Sequence, residues 1–235
     1  MNDFLSSIQI AFHLIITFDP ELYEIIFRTL VVSLTALMLA AIVAIPLGIT
    51  IALNKFPLKS LVITIFNTFL AIPPVVIGLV VYILLSRKMG LLGSYRLLFT
   101  TWAMIMAQFL LALPILTALS IIAAKNLDSG IVNLANAYGA TKSQFFRLVL
   151  RESRYEILAA IIVGFGRLIS EVGAVMMVGG NIRGETRVMT TAIAMNKGMG
   201  EFNVALAIGI VLLIVAFIVN FLLDLLRSDR GVLAE

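Results

Sequence analysis

The 235-residue chain has no cysteine, one histidine and one tryptophan, and only 13% of its residues are charged. Without cysteine there is no disulfide, no thiol nucleophile and no thiolate metal ligand. His13, the only histidine, does not supply a zinc site by itself. An ordinary soluble domain carries about a quarter charged residues. Here the deficit is matched by 61% hydrophobic residues and a mean hydropathy of +1.11. Such a chain is an integral membrane protein. Because backbone groups in lipid must be satisfied within the segment, its apolar runs predict an all-α fold. Basic residues outnumber acidic ones, 17 to 13. They are scattered between apolar runs with no basic aromatic stripe, so nucleic acid is not an expected partner. There is no internal repeat and no low-complexity segment.

What is there is a series of long uncharged stretches. Residues 1–18 are too short to span. Phe4, Leu5, Ile8, Phe12, Ile15 and Ile16 make a rough helical stripe, and the end carries Asp3 rather than the basic residues of a secretory signal. This segment is expected to be an interfacial amphipathic helix on the membrane or on a partner, with His13 as an interfacial polar residue. After Asp19-Pro20-Glu21 come five expected spans, at about 29–53, 60–86, 97–124, 157–182 and 202–223. Pro46 and Gly48 lie in the first, and Gln108 and Pro114 in the third. Pro73-Pro74, with Gly78 a turn later, interrupts the second. A proline pair frees carbonyls at membrane depth, so the bend is either a packing kink or part of a pore lining. The fourth span carries Arg167 and Glu171 one helical turn apart, amid glycines that include Gly173. Intramembrane charges face a bundle interior or a wet cavity. The two either neutralise each other at this spacing or mark a path or a subunit interface. Residues 181–201 read as a long polar loop.

The polar interval 125–156 is the stretch around which the rest is organised. Asp128 or Ser129 can cap a first short helix. Gly139 can take the left-handed conformation that ends it, and Thr141 with Gln144 fits a capping box opening a second. Phe145, Leu148 and Val149 then fall on one face. A helix–glycine–helix unit standing out of a membrane protein is a shape that another protein can grip.

Placing Lys55, Lys59, residues 125–156 and the C-terminus on the cytoplasmic side collects nine Lys and Arg there against seven on the other side. This is a weak positive-inside bias. With five spans the N-terminus is then outside. The outer positives Arg87, Lys88, Arg96, Arg183, Arg187 and Lys197 either form a cationic rim that attracts an anion or an acidic partner or are ordinary solvated loop residues.

The interval resembles the EAA loop of ABC-importer permeases. That pattern is Glu-Ala-Ala, three residues and Gly, against Asn133-Leu134-Ala135, three residues and Gly139-Ala140 here. The second Ala and the Gly match; Asn133 replaces the Glu. Further stretches are similar to permeases of the molybdate, tungstate and sulfate oxyanion family. They are Asp19-Pro20-Glu21, Ile72 to Leu79 with Tyr82 and Arg87, Gly166 to Ala174, and Gly179-Gly180-Asn181-Ile182 with Gly184 to Arg187. Val178 to Ile182 with Thr190-Thr191-Ala192-Ile193 looks most like tungstate permeases. The resemblance implies that residues 19–235 form a molybdate-type permease domain in the prokaryotic cell membrane, bound by lipid. It also implies a second permease chain as a homodimer, two cytoplasmic ATPase subunits and an extracytoplasmic oxyanion-binding protein. Asn133, Ala135, Tyr138, Gly139, Ala140, Thr141 and Gln144 would be the ATPase-coupling residues. Pro73, Pro74, Gly78, Arg167, Glu171, Gly173 and Asn181 would be candidates for the path or gate. The chain itself is expected to bind no cofactor and to be no enzyme, with ATP and Mg used by the partner. In keeping with this, Gly139-Ala140-Thr141-Lys142-Ser143 lacks the glycine before lysine that a phosphate-binding loop needs.

Two other classes compete. A proton-coupled secondary anion transporter has use for Arg167 and Glu171, but five spans do not divide into equal halves, and such a carrier needs no docking loop. A membrane-embedded enzyme needs a nucleophile, a metal or an acid–base pair at depth, and the chain offers one carboxylate already beside an arginine.

Overall fold

The computed structural model describes residues 2–88 and 90–228, with side chains throughout except at 2–5, 129, 136 and 226–228. The described residues form eleven α-helices and one short 3-10 turn, Gly93–Tyr95. The helices are α1 (Asn2–Ile16), α2 (Pro20–Leu53), α3 (Lys59–Phe69), α4 (Pro74–Leu85), α5 (Thr101–Lys125), α6 (Ser129–Ala137), α7 (Lys142–Glu152), α8 (Arg154–Ile169), α9 (Gly173–Gly179), α10 (Met189–Met199) and α11 (Phe202–Ser228). The all-helical expectation holds. Three helices, α2, α5 and α11, are each long and apolar enough to cross a membrane, and the count rises to five if each of two bent pairs is one span. The chain is a multi-pass membrane protein.

The longest helix starts earlier than expected. Asp19 Oδ1 accepts the backbone N–H of Leu22 at 2.8 Å, and Pro20 occupies the first turn, where its missing N–H costs nothing. Asp19-Pro20 is therefore a start signal, and α2 runs 34 residues, about 50 Å. Its central stripe, Ala36, Ala40, Ala44 and Gly48, is small and buried at four-residue spacing. This lets α2 lie against α5, because small residues allow helix backbones to approach closely. A Cβ on Gly48 would sit 2.6 Å from the Ser120 Cβ and 2.7 Å from the Thr117 carbonyl oxygen.

Two expected spans are not continuous. Residues 60–86 divide into α3 and α4, bent by 97° at Leu70–Pro73. Pro73 cannot continue a helix from Ala71, and its extended backbone instead starts α4 with Pro74 in the first turn. Residues 157–182 divide into α8 and α9, bent by 57°. The third span begins at Thr101 rather than 97, because the Phe99 backbone is left-handed and donates its N–H to the Val178 carbonyl at 2.9 Å. Residues 181–201 are not simply a polar loop. Met189, Thr190, Thr191 and Ala192 are buried, so helix α10 packs with α11. Segment α1 rests on the chain's own helices. Ala11 is buried among Leu22, Ile25, Met189, Ala207, Ile208 and Val211, while Ile8, Phe12 and Ile16 face outward. His13 is exposed.

Candidate coupling surface and charged helix break

Helix α7 is the anchor of the 125–156 interval. Its one fully buried residue, Val149, packs into a cluster with Ile49 of α2, Ala123 and Ala124 of α5 and Ile157 of α8, with Phe145 and Phe146 at its edge. Ser153 Oγ donates to the Ala123 carbonyl at 3.2 Å. Thr141 and Gln144 form a reciprocal capping box at the start of α7, with Thr141 N–H to Gln144 Oε1 at 2.8 Å and Gln144 N–H to Thr141 Oγ1 at 3.3 Å.

Helix α6, by contrast, has no extensive contact with another helix among the described residues. Asp128 Oδ1 accepts the Gly130 N–H at 2.7 Å in its first turn. Gly139, at φ +68°, ends it, and the Ala140 N–H closes onto the Ala135 carbonyl at 3.0 Å. Leu134 (63%) and Tyr138 (84%) are exposed apolar side chains on this stand-off helix, and Asn133 is exposed beside them. An open cleft of about 810 Å³, lined by Leu53, Lys55, Val132, Ala140, Phe145 and Phe146, separates the unit from the end of α2. Asn133, Ala135, Tyr138, Gly139, Ala140, Thr141 and Gln144 thus lie on one protruding unit with a fixed turn.

The second group meets where α4 packs on α9. A Cβ on Gly78 would lie 2.8 Å from the Ala174 Cα, and one on Gly173 would lie 2.7 Å from Val75 Cγ2. Pro73 and Pro74 begin α4 at that contact, with Pro73 exposed. Arg167 and Glu171 face each other across the α8–α9 break at 3.5 Å, the carboxylate 3% exposed and the guanidinium side chain 41% exposed. Glu171 Oε1 also accepts the Ala174 N–H at 3.0 Å, capping α9. The break frees backbone carbonyls, and side chains from other helices take them. Gln108 of α5 donates to the Leu168 carbonyl at 3.1 Å, and Thr190 of α10 donates to the Glu171 carbonyl at 2.8 Å. Thr29 of α2 in turn accepts the Met189 N–H at 3.0 Å. The space among Thr29, Ser33, Gln108, Glu171 and Thr190 is too small for a water molecule. Asn181 stands just past α9 with a left-handed backbone and its Oδ1 buried without a partner.

The expected cationic rim divides in two. Arg87, Lys88 and Arg96 line one open cavity of about 430 Å³ with Leu85, Leu98 and Phe99. Arg183 and Arg187 do not stand free; both pair with Glu21, Arg187 at 3.0 Å. Arg28 adds a bond to the Gly184 carbonyl at 2.7 Å while paired with Glu24. The acid that pairs with these two of the six rim residues lies more than 160 residues away in the chain. Its sequence signal was only an acidic residue at the start of α2. Gln108, the amide in an apolar run, carried a clearer one, since polar groups at membrane depth need partners.

Comparison with known proteins places these features. Residues 44–231 match the family described as "Binding-protein-dependent transport system inner membrane component". The tungstate uptake system permease protein TupB of Peptoclostridium acidaminophilum is 44% identical over 219 residues, covering 93% of this chain and 96% of that one. TupB of Campylobacter jejuni is 35% identical over 217 residues, covering 92% and 90%. A bacterial alginate ABC transporter, solved in complex with an alginate pentasaccharide-bound periplasmic protein, superposes with a TM-score of 0.76 at 19% identity, covering 94% of this chain and 86% of that one. With a shared fold, a family match over most of its length and relatives of this similarity, the chain belongs to the binding-protein-dependent inner membrane components, the permeases of ABC transporters.

Proposed function

We propose that this chain is the membrane-spanning permease of an ATP-driven importer for a tetrahedral oxyanion, tungstate in the first place, with molybdate and sulfate as the alternatives. The observation that carries the mechanism is the protruding α6–Gly139–α7 unit, held by Val149 and set by the Thr141–Gln144 box. The similarity to two tungstate uptake permeases favours the substrate. Two copies of this chain form the path. Two ATPase subunits grip α6 on the cytoplasmic face and consume ATP and Mg, and an extracytoplasmic binding protein delivers the anion to the opposite end. The N-terminus lies outside and the C-terminus in the cytoplasm of a prokaryotic cell. The chain performs no bond chemistry: closure of the ATPases displaces α6 and α7, and the permease pair switches its open side by rigid-body motion.

The test is oxyanion uptake into proteoliposomes that hold this chain with its ATPase and binding protein, with and without ATP on the cytoplasmic face. ATP-dependent tungstate uptake that excess sulfate does not suppress is the expected result. ATP-dependent uptake of another oxyanion keeps the mechanism and removes tungstate. Uptake indifferent to ATP refutes the importer reading and favours a secondary transporter.

A further inference from the structure

Arg167 is the cation at the α8–α9 break, and it faces away from the packed interior. Thirteen residues separate it from the first residue of α8, about 20 Å along the helix, so it lies deep in a bilayer core about 30 Å thick. The opposite face of α8, with Ile157, Phe165, Leu168 and Ile169, is buried in the bundle. The outward face carries Val163, Arg167 and Ser170, all exposed, and a Cβ added at Gly166 on that side would meet nothing within 4 Å. A guanidinium facing lipid at that depth is strongly disfavoured. The polar cluster behind it has no room for water, so Arg167 is not hydrated from that side. The outward face is therefore where a wet path has to run. Glu171 is only 3.5 Å from Arg167, but it is buried and also engaged by the Ala174 N–H. It pairs with the terminal nitrogen Nη1 and leaves Nε and Nη2 of the fork to a partner on the outward side.

We infer that Arg167 is the residue that contacts the anion within the path, with Glu171 as the counter-charge that keeps the contact weak enough to release. Arginine suits a tetrahedral oxyanion because its planar fork presents parallel N–H donors to two oxygens. The inference rests on the importer reading and deepens it.

The absence of cysteine gives a clean test. S170C places a thiol one turn from Arg167 in the complete transporter, reconstituted with its ATPase and binding protein. Water-soluble thiosulfonate reagents of either charge are applied, and modification of this chain is followed by mass. The anionic reagent is expected to react faster, and tungstate with ATP to slow it. In R167Q/E171Q, which removes both charges and strands no buried carboxylate, the anionic-to-cationic rate ratio should fall towards that of the free thiol, whereas R167K keeps it. ATP-dependent tungstate uptake should fall at least about tenfold in the double variant and be partly retained in R167K, with ATPase assembly unchanged in both. A thiol that reacts only with lipid-soluble reagents, or a charge ratio indifferent to loss of Arg167, overturns the inference. Wild-type uptake matched by R167Q/E171Q overturns it alone. Wild-type vesicles that take up no oxyanion overturn the importer reading, and the inference with it.

Discussion

Substitution at Gly139 separates backbone strain from every other effect at the coupling unit. Its φ is +68°, and an added Cβ would meet nothing within 4 Å, so no neighbour is displaced by a side chain there. The cost of Gly139→Ala is then the cost of a left-handed L-residue, about 1–2 kcal/mol. Gly139→Val costs more, because a branched Cβ tolerates this conformation poorly, while Gly139→Asn is nearly neutral. The turn is what lets the Ala140 N–H reach the Ala135 carbonyl and sets α6 relative to the anchored α7. A 1–2 kcal/mol shift reduces the population of that arrangement by roughly 5- to 30-fold. Affinity for the ATPase and uptake per ATP hydrolysed should fall by that factor in Gly139→Ala, fall further in Gly139→Val and recover in Gly139→Asn. Membrane insertion and thermal stability should stay near wild type, since the turn is exposed and α7 remains anchored. The assay is a titration of ATPase onto the reconstituted permease, paired with uptake. Full coupling in Gly139→Val refutes the assignment, and equal losses in Gly139→Asn and Gly139→Val refute the strain argument.

Two further predictions concern the frame that carries the site. Gly48→Val should force α2 and α5 apart at Ser120 and Thr117, lowering unfolding stability in detergent by about 1–3 kcal/mol, and an unchanged melting midpoint would contradict the close approach. Thr190→Val keeps the shape but removes the donor to the Glu171 carbonyl at 2.8 Å. It should cost about 1–3 kcal/mol of stability through the buried carbonyl left unpaired, and hydrogen exchange at the start of α9 should rise with it.

Features set by neighbouring residues were legible in the sequence. The Thr141–Gln144 box spans three residues, and Gly139 ends its helix for a reason local to itself. The proline pair marked a break, and the four-residue spacing of Arg167 and Glu171 marked their pairing. Features set by distant chain were not legible. Nothing near residues 189–199 announces that α11 will cover Met189 and Ala192, so helix α10 was hidden behind the charges that flank it. The size of the α3–α4 bend depends on what α4 packs against, which is Ala174 of α9. Glu21 looked like part of a helix start, and its pairing with Arg183 and Arg187 appears only once the chain has folded. At the charged break the same division holds. The ion pair was readable from spacing, while Gln108 and Thr190, which satisfy the carbonyls around it, come from separate helices.

Helix α2 is fixed at both ends to different parts of the transporter. Near its Leu53 end, Ile49 packs in the cluster that seats Val149 of α7. Near its Pro20 end, Glu21 grips Arg183 and Arg187, and Arg28 grips the Gly184 carbonyl, in the segment that leaves α9. A single helix of about 50 Å therefore links the seat of α7 to the segment that leaves α9. A displacement of the α7 seat would reach the exit of α9 through α2 itself. Pro46 lies inside that helix and removes one of its backbone bonds, so the bend at this one position would set how much of a motion at one end arrives at the other.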